Sequence, residues 1–160
     1  MRATRFRVIP DAPWQKDYFG IGLAVTNDYH AKNPDVIAKI GRGLAKSAVL
    51  MKSNPDAMIE PFWKAYPASA RMPGEDREKA MDRERNVLRA TANRVLIDEL
   101  PENFAWGSQD LATWARHFKR LKETKLVPEA AKINVADYFT DAFTAQYNAF
   151  DGATVPGLKK

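Results

Sequence analysis

The sequence predicts a mainly helical fold with a short β element near its N-terminus and about five helices. Three observations predict it. Two strand signals, at Arg5–Ile9 and Phe19–Val25, stand before residue 26. Two copies of a helix-start signal, Asn33-Pro34-Asp35 and Asn54-Pro55-Asp56, follow. From Ile37 onward, apolar residues recur every three or four positions, the spacing of one helix face.

The first element is a short strand at Arg5–Ile9, where polar and apolar residues alternate. Pro10 and Pro13 break it. Phe19-Gly20-Ile21-Gly22-Leu23-Ala24-Val25 reads as a second strand, whose glycines suggest close backbone approach. Asn33 as N-cap, Pro34 at the first helical position and Asp35 at the positive end of the dipole then open a helix. Its stripe is Ile37, Ile40, Leu44, Ala48 and Met51. Gly41 and Gly43 weaken this helix, which points to tight packing against a neighbour.

The repeated start at Asn54 opens a second helix to about Tyr66, stopped by Pro67. A long helix follows from about Glu75 to Ile97, with Met81, Leu88, Ala92 and Val95 on its apolar face. Ser108 can cap a fourth helix carrying Leu111, Trp114, Phe118 and Leu121. Asn134 opens a helical turn, and Thr140 can cap a last helix with Phe143, Tyr147 and Phe150 on one side. The expected organisation is a single domain over residues 1–151 and a frayed tail from Gly152 to Lys160.

The chain has 160 residues, enough for one domain with a real core. It is 45% hydrophobic and 28% charged, ordinary globular values that argue against disorder over most of its length. The absence of cysteine excludes disulfides, thiolate chemistry and cysteine-based zinc sites. No apolar run approaches the roughly 18–20 residues needed to span a bilayer. The basic start, Met1 to Arg7, has no apolar stretch behind it and does not read as a signal peptide. A net charge of +5 could attract nucleic acid or anionic lipid, but basic residues are interleaved with acids, as in Glu75-Asp76-Arg77-Glu78-Lys79. A solvated basic surface is the simpler reading, and no nucleic-acid partner is expected.

Catalytic and metal signals are weak. His30 and His117 are the only histidines, and neither has ligand-type partners at helical spacing, so no metal site is expected. None of the serines stands in a Gly-x-Ser-x-Gly turn. Gly20-Ile21-Gly22 lacks the third glycine of a dinucleotide loop, and Gly41-Arg42-Gly43 lies inside a helix. The acids of residues 75–84 read as helix-end charge paired with Lys79, Arg83 and Arg85. Trp114 to Arg120 interleaves aromatic and basic residues, as single-strand binders do, yet Trp114 and Phe118 lie four apart, the spacing of core contacts. The chain therefore reads as a non-enzyme with no cofactor. The remaining candidates flank the glycine-rich strand: Asp17 to Gly20 and Thr26 to Tyr29 could line a ligand site, because strand ends carry polar groups into clefts.

Several segments together resemble a known family. They are Tyr18 to Asp28, Ala31 to Ile37, Gly41 to Ser47, Ser53 to Ala57, Trp63-Lys64-Ala65-Tyr66-Pro67, Trp106-Gly107, Asn134 to Asp141 and Asn148 to Asp151. In this order the chain resembles, from Arg5 to Asp151, the C-terminal part of the substrate-binding proteins of ABC import systems for aliphatic sulfonates, nitrate, taurine and thiamine-precursor pyrimidines. The resemblance implies part of a periplasmic-binding-protein-like α/β lobe of the type with two lobes and two crossing strands. It implies a small-molecule ligand gripped in an interlobe cleft, an ABC permease as partner and a periplasmic location. The residues expected to line the site are Trp14, Tyr18, Thr26, Asn27 and Asp28. The net positive charge favours a small organic anion; a pyrimidine-like compound is the other class.

Members of that family are considerably longer, so the chain is expected to be a portion of such a protein. A sheet with an open edge and uncovered apolar helix faces are then expected, and with them self-association through the sheet edge. Two rival readings stand beside this one. Some relatives make the thiamine pyrimidine with a histidine of their own chain; here only His30 lies near the candidate site. The other rival is a basic helical module that binds nucleic acid or a protein.

Overall fold

The computed structural model describes residues 22–72, 74–94, 100, 101 and 103–155. Among them the chain is mainly helical, with six α-helices, several 3-10 turns and no strand. The strand expected at Arg5–Ile9, and residues 19–21 of the second, lie outside the described residues. Gly22 to Val25 is exposed and lies in no strand. By internal contacts the chain falls into two compact units. The described part of the smaller is Asp110–Phe139; that of the larger is residues 22–109 with 140–155.

The larger unit begins with a helix that the sequence reading did not anticipate, α1 (Asn27–Lys32). Thr26 caps it: its backbone is extended, and its hydroxyl accepts a hydrogen bond from the Tyr29 N–H at 3.2 Å. The helix ends at Asn33, whose backbone N–H and side-chain amide both donate to the Tyr29 carbonyl. Asn33 therefore terminates one helix, and its side chain does not cap the next. That next helix, α2 (Pro34–Ser53), starts on Pro34 as expected.

The buried face of α2 is Ile37, Gly41 and Ala45. Ile40 and Leu44, expected on the core stripe, are instead 46% and 49% exposed. Against the buried face lies the C-terminal segment, with Phe143 and the four-residue helix α6 (Thr144–Tyr147). The expected last helix is thus a single turn. Thr140 caps nothing longer than a turn, its hydroxyl accepting from the Ala142 N–H at 3.2 Å. The segment expected to fray from Gly152 holds a 3-10 turn, Gly152–Thr154, capped by Asp151, and Val155 after it is buried.

Two further helices build the main core. α3 (Asp56–Ala65) carries Ile59 and Trp63 on one side; Pro61 is tolerated inside it with neighbours on an exposed face. α4 (Arg77–Arg94) answers with Ala80 and Met81, and Leu88 and Ala70 pack around them. Ala92 is buried as expected, whereas Val95 lies outside the described residues. Burying such aliphatic and aromatic side chains contributes roughly 1.5–3 kcal/mol each.

Charge fixes how α3 and α4 meet. Arg85 of α4 grips Asp56 at the start of α3 through two hydrogen bonds of 2.8 Å. It also holds Asp82 at 2.7 Å and Glu78 at 2.9 Å. Arg83 reaches Glu75 and the Ser69 carbonyl, each at 3.3 Å, and pairs with Glu84. Arg77 pairs with Glu60. The acidic run of residues 75–84 is therefore scaffolding, and its pairs bind the loop after α3 onto α4.

In the smaller unit, α5 (Leu111–Glu123) is capped by Asp110, not by Ser108. The Asp110 carboxylate accepts from the Ala112 and Thr113 N–H groups at 3.1 and 2.9 Å. The Thr113 hydroxyl, which also donates to it, and then those two backbone bonds hold its carboxyl below the ordinary range. Ser108 stands two residues before the cap position, and at that position the ionised oxygen of Asp110 also meets the helix dipole. Trp114 stacks on Phe139 at 5.6 Å with rings 9° from parallel, and Phe118 meets Tyr138 at 4.7 Å. The aromatic–basic run thus spends its rings on packing against the 3-10 turn Val135–Tyr138 and Phe139.

Candidate functional site

The candidate ligand residues divide by position. Trp14 and Tyr18 lie outside the described residues. Thr26, Asn27 and Asp28 sit together at the start of α1, and all three are exposed. Two of them already have work. The Thr26 hydroxyl caps the helix, and the Asp28 carboxylate pairs with Lys32 one turn on at 2.8 Å. The Asn27 side-chain amide has no partner among the described residues and can both donate and accept. A polar solute can therefore meet one free amide and one exposed carboxylate–ammonium pair here.

His30 follows them on α1 but points away from solvent. Its ring stands edge-on to Phe143 at 5.3 Å, and its Nε2 is buried with no hydrogen-bond partner. An imidazole held against an aromatic ring does not offer that nitrogen to a bound solute. Among the described residues no group of three or more histidine and carboxylate side chains is arranged to hold a metal.

Two open hollows among the described residues lie elsewhere. One, of about 450 Å³, lies at the corner between α2 and α3, where Lys52, Asn54, Asp56, Arg85 and Arg89 give it a mixed-charge lining. Arg85 is committed to three carboxylates, and Arg89 takes the Asn86 side-chain carbonyl at 2.9 Å. Asp56 is held below the ordinary carboxyl range, chiefly by its hydrogen bonds from Arg85. The other hollow is an open notch after α5, lined by Lys122, Glu123, Lys125, Val127, Pro128 and Glu129. The repeated Asn-Pro-Asp signal pointed to the first corner only as a helix start. Nothing local announced that Arg85 and Arg89, some thirty residues on, would return to it.

Tyr147 is closely confined in the larger unit. Its ring is sandwiched between Gly41 of α2 and Gly107, which has a φ of +87°. A Cβ added at Gly41 would fall 2.0 Å from the ring, and one at Gly107 would fall 2.4 Å from it. The next residue, Asn148, clamps the Trp106 peptide on both sides. It accepts from the Trp106 N–H at 3.0 Å and donates to the Trp106 carbonyl at 2.9 Å. Burial pushes the Tyr147 phenol above its ordinary range. Gly41, Trp106-Gly107 and Asn148 belong to three separate segments that carried the family resemblance, and they converge on this one ring. Gly43, two residues from Gly41, faces open space.

No helix among the described residues is long and apolar enough to cross a membrane. No protein-family model, curated protein or solved structure matches the chain.

Proposed function

We propose that the chain is a solute-binding component, or a portion of one, of an ABC import system. It binds a small organic anion or a pyrimidine-like compound in an interlobe cleft and presents it to a permease at the periplasmic face. The observation that carries this reading is the convergence on Tyr147: segments far apart in sequence, selected by their resemblance to such proteins, pack as one joint between α2, the loop at residues 104–108 and the C-terminal turn. The exposed cluster Thr26, Asn27 and Asp28 supplies short polar groups of the kind that orient a small polar ligand.

The test is a thermal-shift screen of the protein against taurine, longer alkanesulfonates, nitrate and an aminopyrimidine, followed by calorimetry on any hit. A ligand at about one hundred times its Kd stabilises by roughly 2.7 kcal/mol, which raises the melting temperature of a chain this size by roughly 5–10 °C. Asn27→Ala and Asp28→Ala, both on exposed positions, should weaken binding while leaving the ligand-free melting point within a degree or two. If no compound shifts the melting point, or both variants bind as tightly as the parent, the reading is wrong.

A further inference from the structure

We propose that α2 seats this chain on an anionic lipid surface, with Val36, Ile40 and Leu44 below the headgroups and the basic side chains around that row among them. The proposal goes beyond the solute-binding reading and does not depend on it.

The face is built on one helix. Val36, Ile40 and Leu44 stand four positions apart and form a row along α2. They are 40%, 46% and 49% exposed, while Ile37, Gly41 and Ala45 are buried on the other side of the helix. At about 100° per residue, Lys39, Arg42 and Lys46 share the arc beside the row. Gly43 stands between row and arc, and nothing lies within 4 Å of the place its side chain would take. An aliphatic row and a basic arc are therefore open side by side.

The cations of this face are not paired with acids. Lys46 lies over the Phe150 ring at 5.6 Å, and Arg89 donates to the Asn86 side-chain carbonyl at 2.9 Å. Neither these two nor Lys39, Arg42 and Lys52 meets a carboxylate among the described residues. Asp35 is the one acid of α2, and it stands in the first turn, at the positive end of the helix dipole. Seven residues past Leu44 the row reaches Met51, which lines the hollow of about 450 Å³ together with Leu88, Lys52 and Arg89. The apolar row thus runs into a recess that has apolar walls and two more cations.

That combination selects the occupant. A phospholipid surface offers anions and hydrocarbon in one layer: headgroups for the lysines and arginines, acyl chains for Val36, Ile40 and Leu44. Long basic side chains reach up to the headgroups while the row sits lower, so α2 lies in the plane of the interface and does not span it. A nucleic acid supplies anions but no hydrocarbon, and the row has no aromatic ring on which a base could stack. A second copy of α2 would bring Lys39, Arg42 and Lys46 against their own like charges.

Flotation of the whole chain with vesicles tests the proposal, using phosphatidylcholine alone and phosphatidylcholine mixed in equal parts with phosphatidylglycerol. The chain should bind the mixed vesicles and not the neutral ones, and added salt should weaken the binding. Two double variants separate a seat on α2 from the general attraction of a basic chain. Ile40→Gln/Leu44→Gln leaves the charge unchanged and should weaken binding roughly tenfold or more, because the hydrocarbon contact is lost. Lys39→Gln/Lys46→Gln should also weaken it roughly tenfold or more. All four side chains are exposed, so both variants should keep the parent's circular dichroism spectrum. A chain that leaves the mixed vesicles unbound overturns the proposal. So does binding that Ile40→Gln/Leu44→Gln leaves intact, which marks attraction by charge alone. If polyglutamate binds the chain more tightly than the mixed vesicles do, the face belongs to an acidic protein and the proposal falls.

Discussion

Substituting alanine at Gly41 and at Gly43 should move stability in opposite directions, although the two glycines share one helix and are two residues apart. The helical contribution is the same at both: alanine is favoured over glycine in a helix interior by about 1 kcal/mol. At Gly43 nothing lies within 4 Å of the new methyl group, so that gain is kept. At Gly41 the methyl would sit 2.0 Å from Cε1 and 2.3 Å from Cζ of Tyr147. The ring cannot retreat, because Gly107 closes its other side. Overpacking of this kind costs about 1–3 kcal/mol. Displacing Tyr147 also pulls on Asn148, whose two hydrogen bonds to the Trp106 peptide are worth about 1 kcal/mol each. After the helical gain, Gly41→Ala should destabilise by about 2–4 kcal/mol, a drop in melting temperature of roughly 5–15 °C for a chain of this length. Gly43→Ala should raise it by roughly 2–4 °C. Thermal unfolding followed by circular dichroism measures both. A Tyr147→Leu background should remove most of the Gly41→Ala penalty, because the two positions are in contact and their effects are not additive. Equal shifts for the two glycine variants, or no coupling to Tyr147, would refute the sandwich.

Asn148→Ala should cost about 2–3 kcal/mol by chemical denaturation, because it leaves both polar groups of the partly buried Trp106 peptide, and the Thr144 carbonyl, without this partner. Trp63→Ala should cost about 3–5 kcal/mol, since it empties the centre of the α3–α4 core. Trp63→Phe should cost far less, because the volume it loses is offset by removal of a buried indole N–H that has no partner, a penalty of about 1–3 kcal/mol. Acid should weaken the fold through Asp56 and Glu75. Asp56 is held below its ordinary pKa chiefly by Arg85, and Glu75 by the Met72 N–H and then Arg83. Their stabilisation is complete above the unfolded value near pH 4 and is lost as pH falls through the lower folded values. Asp56→Asn should therefore melt lower than the parent at neutral pH, and the gap should close below about pH 4.

Much of the helical layout was legible locally. Pro34 and Asp35 set the start of α2, Pro55 and Asp56 that of α3, and Pro67 the end of α3, because proline and short acidic residues act on the backbone beside them. The pairing of the acids at residues 75–84 with Arg83 and Arg85 was also legible, since most partners lie within one or two turns. Helix α1 was missed because it is too short to show a periodic apolar face, and Thr26 reads equally well as a strand end. Ser108 was the expected cap of α5; the cap is Asp110, because it is the residue from which the chain turns into the helix.

Residue order alone marked the starts of α2 and α3 and the end of α3, because proline and short acidic residues act through bonds only a few residues long. The tertiary structure decided which face of α2 is buried, why Gly41 is needed there and Gly43 is not, and that Arg85 binds Asp56 from 29 positions away. Those outcomes depend on which surfaces the chain brings together. Periodicity can mark a residue as apolar, but only a neighbour arriving from a distant segment can exclude water from it or crowd its backbone.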